Sequence, residues 1–287
     1  MPAIEEWWAE GELLKLASGG RSRELFVLRR GEGPVLTALH GFPSSSHDWA
    51  GVAAALARDR TLLMPDLLGF GASEKPADGP YSLLEQADLV EALWRAQEVR
   101  STALLAHDYS VSLTQELLAR RAEGRLEVEL TAATLLNGGL YPDLHRPEPA
   151  QRALLDPVQG PKIGELMNEE LFVAALAPTF APGFDAGTVS REMWRGVSRD
   201  GGERISHLLI AYIPERERLG GRWVQALEST DVPLGFVWGM LDPVSGAHMA
   251  ERIRDRLPGA PFTALEDVGH WPQLEAPTAV LAALGAE

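Results

Sequence analysis

The sequence predicts an α/β protein built on a mostly parallel sheet, with a helical cap inserted into it, and three observations carry that prediction. Short β-rich apolar runs alternate along the chain with longer stretches of helical spacing. The alternation stops between Leu140 and about Ala226, a stretch rich in Pro, Gly and Arg with helical fragments and no convincing strand. At 287 residues and 45% hydrophobic content, the chain is long and apolar enough for one large domain carrying an insertion.

Eight strands are expected, over residues 13–16, 24–30, 34–41, 61–66, 101–108, 130–138, 233–239 and 261–267. The clearest helix runs from about Ser82 to Gln97, where Ser82 and Glu85 have capping-box spacing ahead of the apolar stripe Leu89, Val90, Leu93 and Trp94. Helices are also expected after Asp108, His248 and Leu274. Residues 1–139 and 226–287 therefore read as the core and 140–225 as a helical cap. So long a connection after a strand builds something over the strand ends, where parallel sheets bind ligands.

Composition narrows the function. A net charge of -15 repels phosphate backbones and anionic lipid, and the arginines stand among acids without forming a basic block, so neither a nucleic-acid nor a membrane partner is expected. The absence of cysteine removes disulfides, thiolate nucleophiles and cysteine-ligated metals. An acidic start without a long apolar run predicts a soluble, cytoplasmic protein, monomeric or homodimeric.

Four short segments carry chemistry. AHDYS (106–110) joins a buried strand to a helix, with small residues two positions either side of Asp108, as the sharp turn of a nucleophile elbow requires. Alone it reads equally as an Asp capping the next helix. HGFP (40–43) ends an apolar strand, and the Phe42 N–H can pair with that of Tyr109 as an oxyanion hole; an ordinary turn is the alternative. His270 in VGHWPQLEAP (268–277) follows the last strand, and Asp242 in WGMLDPV (238–244) sits beyond a strand end, where it could equally form a turn. Nucleophile, acid and histidine then fall in the chain order of the hydrolase triad.

Assembled, these residues make the chain resemble the α/β-hydrolase family over nearly its whole length, in the epoxide-hydrolase and haloalkane-dehalogenase branch that places Asp in the elbow. PDLLGFGASEKP (65–76) is similar to the loop those enzymes carry after their fourth strand, and HGFPSSSHDW (40–49), AHDYSVSLTQELLAR (106–120), LLNGGLYPDLHRP (135–147) and RWVQAL (222–227) look most like mesoderm-specific transcript-like hydrolases and their bacterial relatives. The resemblance implies an Asp108 nucleophile forming an alkyl-enzyme ester, His270 as general base and Asp242 orienting it, with neither cofactor nor metal, on a small, mostly apolar molecule.

Epoxide opening needs a proton donor, which the relatives supply from cap tyrosines. Of four tyrosines, Tyr212 and Tyr141 fall in the corresponding region. Dehalogenation fits less well, because Tyr109 replaces the Trp that commonly follows the nucleophile and Phe42 replaces the Asn often found after HG. Epoxide hydrolysis to a diol is thus the leading expectation, followed by haloalkane dehalogenation and ester or lactone hydrolysis, with a non-catalytic binding protein as the alternative outside enzymes. Asn137 and Trp271 are expected to contact ligand or cap. His107 and His40 are expected to brace the elbow, and His47, His207 and His248 to lie on the surface or on helices.

Overall fold

A computed structural model describes residues 1–79 and 81–286; Glu287, the last residue of the second core segment, lies outside them. The eight strands are β1 (Glu12–Ser18), β2 (Arg21–Arg30), β3 (Val35–Leu39), β4 (Thr61–Pro65), β5 (Ser101–His107), β6 (Glu129–Leu136), β7 (Leu234–Gly239) and β8 (Phe262–Leu265). They form one sheet in the order β1-β2-β4-β3-β5-β6-β7-β8. Pairings from β4 onward are parallel, while β2 runs antiparallel to β1 and β4. Successive side chains alternate between two apolar layers: Leu63 and Leu104 pack in one, Leu62, Met64 and Leu105 in the other.

Of the helices expected after Asp108, His248 and Leu274, the first spans Tyr109–Ala122, the second begins one residue early as Ala247–Arg256, and the last is Pro277–Ala283. The helix at Leu83–Ala96 forms, but its expected capping box does not. Ser82 Oγ accepts from Leu84 N–H at 3.1 Å, and Glu215 of the cap takes the Leu83 N–H at 2.6 Å and the Ser82 hydroxyl at 2.7 Å. Glu85 turns instead toward Arg23 at 3.7 Å. A carboxylate distant in sequence caps this helix where the local one does not, because docking the cap brings Glu215 to the open Leu83 N–H.

Of the two placements expected for His47 the helix is the one observed, in the short 3-10 turn Ser46–Trp49, and the residue is buried. A short N-terminal helix, Ile4–Ala9, covers it, and its ring stands edge-on to Trp7 while Nε2 bonds Pro2 O at 2.9 Å.

Between β6 and β7 the described residues contain only helices and turns, ending in the long helix Tyr212–Ser229. The boundary expected at 225/226 falls inside that helix. Core and cap are continuous there: Trp223 Nε1 donates to Glu116 on the elbow helix at 2.8 Å, and Arg222 reaches the same carboxylate. No helix among the described residues is long and apolar enough to cross a membrane.

Candidate active site

Asp108 stands between the end of β5 and the first turn of the elbow helix at φ 46°, ψ -103°, a conformation rarely adopted by a non-glycine residue. Its side chain makes no cap bond to the helix, so the alternative reading of a capping Asp does not hold. Oδ2 instead accepts the Phe42 N–H at 3.0 Å, and the Tyr109 N–H also acts on the carboxylate. Gly41 permits this approach: a Cβ there would lie 2.6 Å from His107 Nδ1 and 2.9 Å from Asp108 Cβ. The loop is fixed further by His40, whose Nδ1 bonds Gly41 O at 2.8 Å and whose Nε2 accepts the Leu67 N–H at 3.0 Å. Ser110, small as the elbow needs, donates its hydroxyl to His40 O.

The other oxygen of Asp108, Oδ1, lies 3.7 Å from His270 Nε2, beyond hydrogen-bond length but facing it. On its far side His270 Nδ1 meets Asp242 Oδ2 at 2.8 Å. Asp242 is held on every side, its Oδ2 also accepting from Asn137 Nδ2 at 2.9 Å and Ser245 Oγ at 2.7 Å while Oδ1 takes the Val244 N–H at 2.7 Å. The last bond is the turn its sequence suggested, so Asp242 shapes the loop and orients the imidazole at once. The bonds of Asn137 run within the core, and it is not among the residues that wall the cavity beneath the cap. It bridges β6 to β7, taking the Gly239 N–H at 2.6 Å and donating to Gly239 O and Asp242, because the ends of those strands lie side by side.

Burial acts on all three groups, and the neighbours decide the outcome. For His270 burial opposes charge, but Asp242 and then Asp108 outweigh it and lift the imidazole to about 9. Burial pushes Asp242 up, yet His270 and three further bonds hold it well below the usual carboxylate range. Asp108 ends raised: burial dominates, against His270, Arg216 and the two backbone N–H groups.

A cavity opens onto Asp108 and His270 beneath the cap, walled by Phe42, Leu154, Phe172, Leu176 and Trp271, with Gln151 among its few polar groups. Trp271 meets the cap as expected: its Nε1 donates to Thr179 Oγ1 at 2.8 Å and its ring stacks on Phe180. Tyr212 is fully buried beside the site, its ring against those of Phe42 and Tyr109, and its hydroxyl accepts from Gln151 Nε2 at 3.4 Å. Tyr141 is elsewhere. Its ring lies under Arg252 in a separate cleft with Glu228 and does not line the cavity that opens onto Asp108, so it is not placed to serve as an acid there.

Two residues that sequence reasoning passed over belong to this site. Glu275 organises the histidine loop, accepting the N–H groups of Gly269 at 3.0 Å, Trp271 at 3.0 Å and cap residue Ala181 at 2.8 Å. Arg216 is 1% exposed, and its signal was an arginine on the buried stripe Tyr212, Ile213, Gly220, Trp223 and Leu227 of an amphipathic helix. His107 braces the histidine loop more than the elbow, its Nε2 bonding His270 O at 2.8 Å. His145 also approaches, its imidazole pushed down to about 3 by burial and then by the Arg216 and His270 charges.

Comparison with known proteins agrees with this architecture. The chain is 38% identical over 281 residues to the LipZ protein of Mycobacterium tuberculosis, spanning 97% of this chain and 95% of that one. It is 36% identical over 289 residues to the human mesoderm-specific transcript homolog protein, covering 98% and 86%. In fold it matches the crystal structure of the haloalkane dehalogenase DatA from Agrobacterium tumefaciens with a TM-score of 0.77 at 20% identity, covering 96% and 94%. The sequence pattern of the alpha/beta hydrolase family matches residues 38–284, and the chain belongs to that family.

Proposed function

We propose that the protein is a hydrolase that works through an Asp108 alkyl ester, with an epoxide on a small, mostly apolar molecule as substrate. The observation that carries this reading is the division of labour within one carboxylate: Oδ2 rests on the Phe42 N–H while Oδ1 faces His270. Such a group can attack with one oxygen and keep the other where an oxyanion will form. Asp108 Oδ1 bonds to an sp3 ring carbon, the C–O bond breaks toward oxygen, and that oxygen takes the Tyr212 phenolic proton. His270 then removes a proton from water, and the resulting hydroxide adds to Asp108 Cγ. Collapse expels the diol oxygen, and the two protons that water brought return to the diol and to Tyr212. Esterification removes the Asp108 charge that helped raise His270, so the first step lowers the basicity of the imidazole toward the range a general base needs.

Tyr212 favours an epoxide over a halide. Its hydroxyl accepts from Gln151, which leaves its own proton to donate, and it stands close enough to feel the Asp108 charge. Trp271, the indole lining the cavity among the described residues, already commits its N–H to Thr179, and the Tyr109 ring packs inward against Phe70. A leaving halide finds little there to hold it.

The test is intact-mass measurement on His270→Ala incubated with a panel of epoxides and a panel of haloalkanes. A gain equal to the whole epoxide is expected, abolished by Asp108→Asn. A gain equal to the alkyl group without halogen would assign dehalogenation instead, and no gain from either panel would remove the Asp108 mechanism. Tyr212→Phe should slow ring opening by about 10²- to 10⁴-fold, the usual worth of a positioned acid.

A further inference from the structure

Two arginines near the elbow helix are buried, and only one is paired. Arg120 reaches Glu116 at 2.7 Å and Asp88 and Glu91 at 2.6 Å each. Arg216 meets no carboxylate within ion-pair distance among the described residues. Its Nε donates to Ser112 Oγ at 2.8 Å, while Nη1 and Nη2 are buried without a partner among the described residues. Its guanidinium lies 4.9 Å from the centre of the Tyr212 ring. Room for it is left by Gly139, where a Cβ would stand 2.1 Å from Nη1.

A buried cation without a contact anion is expensive. Ser112, which anchors it, lies one helical turn beyond Asp108, and the charge stands against the Tyr212 ring and acts on the Asp108 carboxylate.

We propose that Arg216 is a positioning residue, the fixed cation beside which negative charge passes from Asp108 to Tyr212 as the displacement proceeds. The proposal rests on the Asp108 reading above. Before the step the charge is on the carboxylate; afterwards the ester is neutral and the charge is on the phenolate. A guanidinium adjacent to both ends stabilises each without moving, which is how a dry site stabilises developing charge.

The other groups facing Asp108 are His270 from the loop after β8, with Asp242 behind it, the N–H groups of Phe42 and Tyr109, and Tyr212. His145, from the loop after β6, faces Arg216 and is neutral. Glu215 on the same helix is taken by Ser82, Leu83 and Arg218, and Glu116 by Arg120, Arg222 and Trp223. Neither is available as the counter-charge.

The test is a carbon-13 NMR titration of the aspartate carboxyls, with the Asp108 signal assigned by its loss in Asp108→Asn. Arg216→Met is expected to raise the Asp108 midpoint by about one pH unit or more, a tenfold loss of carboxylate at a given pH. Arg216→Lys should restore most of it. Gly139→Ala keeps the charge but pushes the guanidinium aside, and should give a smaller shift in the same direction. A role in packing alone would leave the midpoint in place, so an unmoved midpoint in Arg216→Met overturns the proposal; should that variant not fold, an unmoved midpoint in Gly139→Ala overturns it. In the His270→Ala background, Arg216→Met should slow ester formation from an epoxide more than from a haloalkane, because only the epoxide leaves a phenolate; equal slowing contradicts the proposal. If ester forms and the midpoint stays, this inference alone fails. If the midpoint moves and no probe forms an ester, the reading of the reaction fails.

Discussion

Asp108 and Asp242 flank one imidazole, 3% and 4% exposed respectively, and are held in opposite ways. Asp242 has donors on both oxygens, from a histidine, an asparagine, a serine and the Val244 N–H. Asp108 has the Phe42 N–H at Oδ2 and the Tyr109 N–H on the carboxylate, and turns Oδ1 toward His270 at 3.7 Å. Burial alone would raise both. The count of donors decides that Asp242 is held ionised while Asp108 stays raised and reactive, so chemically identical groups about an imidazole's width apart take different parts.

The largest effect expected from breaking this contrast is Asp108→Asn, which should lower turnover by about 10⁴-fold or more, as loss of a covalent nucleophile does. The same change should raise the melting temperature at neutral pH, since it removes a carboxylate that burial makes costly to ionise. Asp242→Asn comes next, at about 10³- to 10⁴-fold, because the imidazole loses its orienting partner. Its stability should fall, by about 3–5 kcal/mol if the loss matches that of one partner of a buried pair. A melting temperature that moves the same way in both variants would erase the distinction drawn here.

That distinction also has a pH signature. The folded pKa of Asp242 is depressed, so its contribution is full above the ordinary carboxylate range and is lost as pH falls below that range toward the depressed folded value. The folded pKa of His270 is raised from 6.5 to about 9, so its contribution is full below 6.5 and lost as pH rises toward 9. Wild type should exceed Asp242→Asn in melting temperature most between about pH 4 and 6.5, with the gap closing toward pH 9. A gap independent of pH would mean that the pair contributes packing and no charge.

How much of this was legible in the sequence follows from how local each feature is. All eight strands could be read, because apolar β-rich runs and their turns are local signals. The convergence of Asp108, Phe42, Asp242 and His270 could be read because each follows the end of a strand within a few residues, and the ends of parallel strands lie together. Partnerships across the chain could not. Asn137 was read as a cap or ligand contact because nothing local says that β6 and β7 are neighbours, and nothing local shows that the Leu83 N–H is capped by Glu215, from a helix about 130 residues away. Tyr212 and Tyr141 looked equivalent as residues of the cap region, and only the folded chain separates them, with Tyr212 against Phe42 and Tyr109 and Tyr141 in another cleft.

The finest test of the contrast dissects the bonds at Asp242. Ser245→Ala removes one of three donors at Oδ2 and leaves both the imidazole and Asn137 in place. A typical hydrogen bond contributes about 0.5–1.5 kcal/mol, so a loss of roughly two- to tenfold in turnover is expected. Asn137→Ala should cost more, since it also releases the Gly239 N–H and carbonyl from their side-chain partner. The proton signals of the His270 ring give the sharper reading: with fewer donors Asp242 is a less settled anion, free to pair more strongly with the imidazole, and the His270 midpoint should move upward from about 9 in both variants. A downward move would mean that Ser245 and Asn137 serve to aim the carboxylate and that its orientation, more than its hydrogen-bond load, sets the basicity of His270.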